Sequence, residues 1–202
     1  MDTRLFSIEL AERERRAGER QGALDRVIVE PFESAKQLWL AIRSYLTQCS
    51  NAEVLRVSQA DLWKRLRLND AGTEIYVGSK YDAVKNFHRD RERPHIERSD
   101  GAWFDFALML RSVDGGVEVL GYNAEIRFDD GITETQARWL RFDLNPVGHT
   151  NDDERSMRAH MHAGSDDWLM PAPAFRPFEL LDLLVFGLAR REDRKPRDSA
   201  GG

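Results

Sequence analysis

The stretch WFDFALMLRSVDGGVEVLGYNAEIRF, residues 103–128, decides how the rest of the chain is read. Its first eight residues carry large apolar side chains on both alternating faces, the pattern of a strand paired on both sides rather than one at a wet edge. VDGG, 113–116, supplies the two glycines that a tight hairpin favours. Residues 117–128 then run back, with Leu120, Tyr122, Ala124, Ile126 and Phe128 on one face and Asn123, Glu125 and Arg127 on the other. A long antiparallel hairpin is therefore expected at the centre of a sheet.

Downstream the same period continues. RWLRFDLN, 138–145, separates Leu140, Phe142 and Leu144 from Trp139, Arg141 and Asp143, and RSMRAHMHAG, 155–164, separates Met157, Ala159 and Met161 from Arg158, His160 and His162. If these strands pair in sequence order, Glu125, Arg127, Arg141, Asp143, Arg158, His160 and His162 share one surface. Upstream, TEIYV (73–77) reads as a further strand, and residues 32–48 as a helix that starts near Pro31, with Leu38, Ile42, Tyr45 and Cys49 at helical spacing. Ser58 with Asp61 and Ser79 with Asp82 are capping boxes; the first opens a short helix through Leu62 and Leu66, the second one toward Phe87. HRDRERPHIER, 88–98, reads as a solvated loop, with a phosphate-facing patch as the lesser alternative. FELLDLLVFGL, 178–188, preceded by Pro177, is a compact apolar helix that must be buried in its own domain or in a partner. The fold class expected is α+β, an antiparallel meander with helices packed on one face, an N-terminal helical region and a closing C-terminal helix. Residues 1–24 form a charged helical arm, 25–190 a single α+β domain and 191–202 a disordered tail.

Composition narrows the functional classes. The 202 residues hold 41% hydrophobic residues, including ten phenylalanines and five tryptophans, enough for a sizeable core. Charged residues reach 32% but nearly cancel to a net of −5, which is not the overall balance of a chain that coats nucleic acid. One cysteine, Cys49, excludes an internal disulfide and a cysteine-rich zinc module, and its place on a helical stripe reads as core. The N-terminal residues are too charged for a signal peptide and no apolar run is long enough to span a bilayer, so the expectation is a cytoplasmic chain without membrane contact. The basic residues Lys80, Lys85, His88, Arg89, Arg91 and Arg93 could track a nucleic-acid backbone, but Asp82, Asp90 and Glu92 interleave with them, which favours a solvated face. The closing Gly201–Gly202 reads as a disordered end. No P-loop, G-x-G-x-x-G turn, G-x-S-x-G elbow or H-E-x-x-H helix is present.

Three readings of the polar surface stay open. It is an ordinary exposed sheet face with cross-strand ion pairs. Alternatively, His160 and His162 ligate a divalent metal with Asp143 or Glu125, and His149 or Asp166 adds a ligand from flanking loops. In the third, a histidine oriented by a carboxylate works as general acid/base while Arg141 and Arg158 hold a phosphate, a combination suited to phosphodiester cleavage.

R-F-D at 141–143, H-x-H-x-G at 160–164, Pro171, Pro173 and the helix PFELLDLLVFGL together resemble a pattern in small, poorly characterised prokaryotic families found beside toxin–antitoxin and phage-defence genes. The resemblance covers about residues 138–188 and implies functional roles for His160 and His162, with Asp143 less directly. A fainter resemblance, in the order of helix, meander, His-containing segment, Trp168-x-x-Pro171 turn and helix, is to the ubiquitin-conjugating-enzyme fold, without its catalytic cysteine. The function expected is a component of a prokaryotic defence or toxin-type system that cleaves a phosphodiester, with nucleic acid or nucleotide as substrate. The alternative is a non-catalytic subunit that binds a protein partner through the charged arm and the apolar C-terminal helix.

Overall fold

The computed structural model describes residues 27–78, 89–128, 138–148 and 158–188. The arm at 1–24, the helix expected at 79–87, Met157, His149 and the tail at 191–202 lie outside the described residues. In chain order come β1 (Ile28–Glu30), α1 (Ala35–Asn51), α2 (Gln59–Arg65), β2 (Leu66–Leu68), β3 (Glu74–Val77), β4 (Ile96–Glu97), β5 (Trp103–Val113), β6 (Gly116–Phe128), β7 (Arg138–Leu144), β8 (Ala159–Ala163), β9 (Met170–Pro171) and α3 (Pro177–Asp182). A π-helical turn, Leu183–Gly187, prolongs α3.

All nine described strands join one antiparallel sheet in the order β2-β3-β5-β6-β7-β8-β9. The β5/β6 hairpin is its spine. β3 and β4 share the outer side of β5, while β1 and β7 share the outer side of β6. The turn of the hairpin is Asp114–Gly115, with Gly115 at φ 81° and Val113 paired to Gly116. Gly116 is a strand residue with a separate constraint, because a Cβ there would lie 2.3 Å from the carbonyl oxygen of Glu30 in β1. Gly116→Ala is therefore expected to push β1 off the sheet, costing about 1–3 kcal/mol in a denaturant titration; an unchanged midpoint would refute that close approach.

Alternation places the core. Phe104, Phe106 and Leu108 of β5, Tyr122, Ala124 and Ile126 of β6, Phe142 and Leu144 of β7 and Ala159 of β8 are buried in one cluster with Leu38, Ile42 and Leu46 of α1 and Leu180 and Leu184 of the C-terminal helix. Both long apolar helices thus cover the same sheet face, as an α+β layer arrangement requires. Tyr45 of α1 stacks edge-on against Phe178 at 5.8 Å and donates a hydrogen bond to Asp182 at 2.6 Å, joining the two helices. The C-terminal helix packs into its own domain, with Leu184 fully buried and Phe186 left 55% exposed. Among the described residues no helix is long and apolar enough to cross a membrane.

Several local expectations shift for physical reasons. α1 starts at Ala35 because Ser34, not Pro31, accepts the capping bond from the Gln37 N–H. Ser58 caps α2 by accepting from the Asp61 N–H at 3.1 Å, but that helix stops at Arg65, and Leu66 opens β2 against Val77. Leu120 leaves the apolar face: the register slips between Met109 and Leu110, and Val119 takes the core position, with no exposed surface. Residues 89–95 form an irregular segment exposed at Asp90, Arg91 and Glu92, but the end of the stretch is not solvated. It contributes β4, and its buried Arg98 donates to the carbonyls of Leu184 (3.0 Å) and Leu188 (2.6 Å), capping the last helix.

Candidate metal centre

The sheet face opposite the helices carries the polar residues, and it is buried. Asp105, Asn123, Glu125, Arg127, Asp143, His160 and His162 are each at most 8% exposed, which excludes the reading of an ordinary solvated strand face. Burial of this many charges requires compensation. One half of the face supplies it internally. Arg127 is 1% exposed, donates to Asp105 at 2.5 Å and to Glu125 at 2.7 Å, and lies 4.4 Å from the ring of Trp103. Arg89 reaches in from the 89–98 segment, donates to Glu125 at 3.0 Å and packs 3.7 Å over Trp139. Desolvation still pushes the carboxyls of Asp105 and Glu125 above their ordinary range, against the pull of these guanidiniums.

The other half is arranged differently. The β7–β8 register sets Asp143 opposite His160 and Arg141 opposite His162, on the shared face that alternation predicts. Asp143, His160 and His162 each bring one ligand atom within 4.8 Å of the other two. Asp143 Oδ2 lies 3.7 Å from His160 Nε2 and 3.6 Å from His162 Nε2. Those distances are too long for hydrogen bonds. They are close to the roughly 3.3–3.6 Å that separates two donors bonded to one tetrahedral cation at about 2.0–2.2 Å. The two imidazoles meet edge to face at 5.1 Å. Neither ring nitrogen of His162 has a hydrogen-bond partner among the described residues, although the residue is 4% exposed. Burial first, and then the charge of Arg141, hold its pKa below the ordinary histidine value, so its imidazole is neutral and can act as a ligand at pH 7.

Outer partners fix the carboxylate. Asn123 donates its amide to Asp143 Oδ1 and Arg141 Nε donates to Oδ2 at 2.7 Å. Hydrogen bonds of this kind orient metal-ligating groups. Asn123 follows from the register, since it faces Asp143 across β6–β7. Asp105 could also have been placed, as the lone acid in an apolar strand on the Trp103 side. Trp139 sits on the same face and bears against Arg89 and, at 5.7 Å, Arg141.

The structure does not bring every candidate into this group. Glu125 faces Arg141 in the register, but Arg89 and Arg127 hold it away from the histidines. Arg158 donates to the carbonyls of Asn145 (3.0 Å) and Leu120 (3.3 Å), fastening the start of β8 to the bulge. Asp166 accepts from Arg141 at 2.5 Å. Sequence reading reaches Arg89 only as part of a basic cluster that reads as a solvated face, because nothing in its spacing ties it to Glu125.

His95 closes the far end of the same face, stacked 4.8 Å from Trp103, with Nδ1 2.8 Å from the Arg93 carbonyl oxygen. Burial, aided by Arg65 and Arg91, lowers its pKa from the ordinary value of about 6.5. Between the two values the unfolded chain binds more protons, so this group's contribution is complete above about pH 6.5 and is lost as pH falls through the folded pKa. In chelator-treated protein, His95→Gln is expected to flatten the rise of unfolding free energy between pH 5 and 7. An unaltered slope would remove His95 as its source.

The fold and this face define a class: an antiparallel α+β domain with a buried two-histidine, one-carboxylate cluster on the sheet face away from its helices. No family model, curated protein or solved structure matches the chain.

Proposed function

We propose that the chain is a divalent-metal-dependent hydrolase of phosphate esters, with Asp143, His160 and His162 as the metal ligands. The observation that carries this reading is the convergence of three buried donors at spacings that suit one cation and do not suit hydrogen bonding. A metal-free acid/base pair would need the carboxylate to grip an imidazole at about 2.6–3.2 Å. Here Asp143 instead bonds Asn123 and Arg141.

Asp143, His160 and His162 would hold the cation, which would supply activation of water and polarisation of a phosphoryl oxygen. The protein's own contributions are distinct. Asn123 and Arg141 hold the carboxylate, the neutral imidazole of His162 supplies a nitrogen donor, and Arg141 stands beside the centre to meet developing charge on a phosphoryl group. Nucleic acid or nucleotide is the substrate class that goes with such chemistry. The cellular setting, a prokaryotic defence or toxin-type system, rests on the R-F-D and H-x-H-x-G pattern alone.

Elemental analysis of the purified protein is the direct test, followed by hydrolysis of bis(p-nitrophenyl) phosphate with and without chelator. About one equivalent of zinc, manganese, iron or cobalt and a chelator-sensitive rate are expected. Absence of metal after dialysis against each cation would overturn the reading.

A further inference from the structure

Beside the three-donor cluster, two arginines converge on one exposed carboxylate. Arg141 Nη1 lies 2.5 Å from Asp166 Oδ1 and Arg89 Nη2 lies 3.8 Å from Asp166 Oδ2. Both guanidiniums are fixed from behind by buried acids: Arg141 through Nε to Asp143 at 2.7 Å, Arg89 through Nε to Glu125 at 3.0 Å. Both border the ring of Trp139, at 3.7 Å for Arg89 and 5.7 Å for Arg141. Their side chains are only 20% and 12% exposed, whereas that of Asp166 is 60% exposed. Asp166 follows Gly164, which turns the chain out of β8 with φ 68°.

This asymmetry has a physical reading. Arg141 is carried on β7 and Arg89 on the irregular segment before β4; each is held by a buried acid and packed on an aromatic ring, so they need little rearrangement to bind an anion. The carboxylate that joins them stands on a surface turn, where an ion pair contributes little and can be exchanged. A phosphoryl group presents more oxygens and more charge to the same guanidinium pair than one carboxylate does.

We propose that Arg89 and Arg141 form a phosphoryl-oxyanion site next to the Asp143–His160–His162 cluster, and that Asp166 occupies it as an internal placeholder which the phosphate of a substrate displaces. The proposal deepens the hydrolase reading and rests on it for the role of the site, but the anion binding itself needs no metal. Asp166 then has two effects. It takes up the outward Nη positions of the two arginines in the resting protein, and it sets a threshold that weakly binding anions do not pass.

The experiment is a titration of chelator-treated full-length protein with inorganic phosphate at constant ionic strength. It is followed by calorimetry and by tryptophan fluorescence, to which Trp139 reports directly, with acetate as the control anion. Asp166→Ala, a change at an exposed position, is expected to tighten phosphate binding about fivefold, the equivalent of one exposed ion pair at the upper end of its range. Arg89→Gln is expected to weaken it about tenfold or more. Phosphate affinity that is unchanged or reduced in Asp166→Ala, or acetate binding as strong as phosphate, overturns the proposal. Should Arg89→Gln fail to fold, Asp166→Ala still decides. Phosphate binding without metal uptake in the elemental analysis would sink the metal reading alone, and metal uptake without any phosphate response would sink this one alone.

Discussion

Arg127→Met is expected to lower the unfolding free energy by about 3–5 kcal/mol, the range for removing one member of a buried ion-paired group. Arg127 has 1% exposure and holds both Asp105 and Glu125, so methionine would fill much of the volume yet leave two desolvated carboxylates with less compensation. The pH dependence should identify the cause. Burial already raises the pKa of both acids, and loss of the guanidinium raises them further. An acid whose folded pKa exceeds its unfolded value binds more protons in the native state, so its contribution falls as pH rises through that window. The penalty should therefore be greater at pH 7 than at pH 5 in urea titrations, and adding Asp105→Asn should recover part of it. An equal penalty at both pH values would point to packing against Trp103 instead.

The second large effect concerns the cluster. In Asp143→Asn, metal affinity should fall more than about 100-fold, beyond the roughly 10–100-fold typical of losing an outer partner. Hydrolytic rate should fall with it. The amide keeps the volume but cannot accept from both Asn123 and Arg141, so metal-free stability should drop by only about 1–3 kcal/mol. Thermal melts separate the two consequences. Saturating zinc at about 100 times Kd should stabilise the wild-type chain by about 2.7 kcal/mol and leave the variant unmoved. His162→Gln should behave alike, whereas alanine at His160 or His162 would open a cavity in a buried site and confuse folding with binding. Equal zinc stabilisation of wild type and Asp143→Asn would place the cation elsewhere.

Much of this site was legible because strand alternation carries geometric information. Once residues 117–128, 138–145 and 155–164 are read as consecutive antiparallel strands, Glu125, Arg141, Asp143, His160 and His162 must share a face; that Asp143 pairs with His160 and Arg141 with His162 is set by the register of the folded sheet. The same logic would have added Asn123 and Asp105. It failed at Leu120, where one extra residue inverts the alternation, and at Leu66, where an apolar residue continues a helical spacing but pairs as a strand. A bulge or a helix-to-strand switch is decided by what the neighbouring chain offers, and local pattern does not encode that.

What the sequence by itself determined is therefore facing: which side chains lie together on one side of the sheet, and that the opposite side belongs to the helices. Only the tertiary structure decided that the polar side is dry. A period-two pattern is the same whether water or protein covers it. Arg89, 36 residues away from Glu125, reaches in to bond it, and two tryptophan rings pack against the arginines. The face is buried where the pattern alone allowed it to be wet, and a polar group removed from water needs a compensating partner that a solvated one does not.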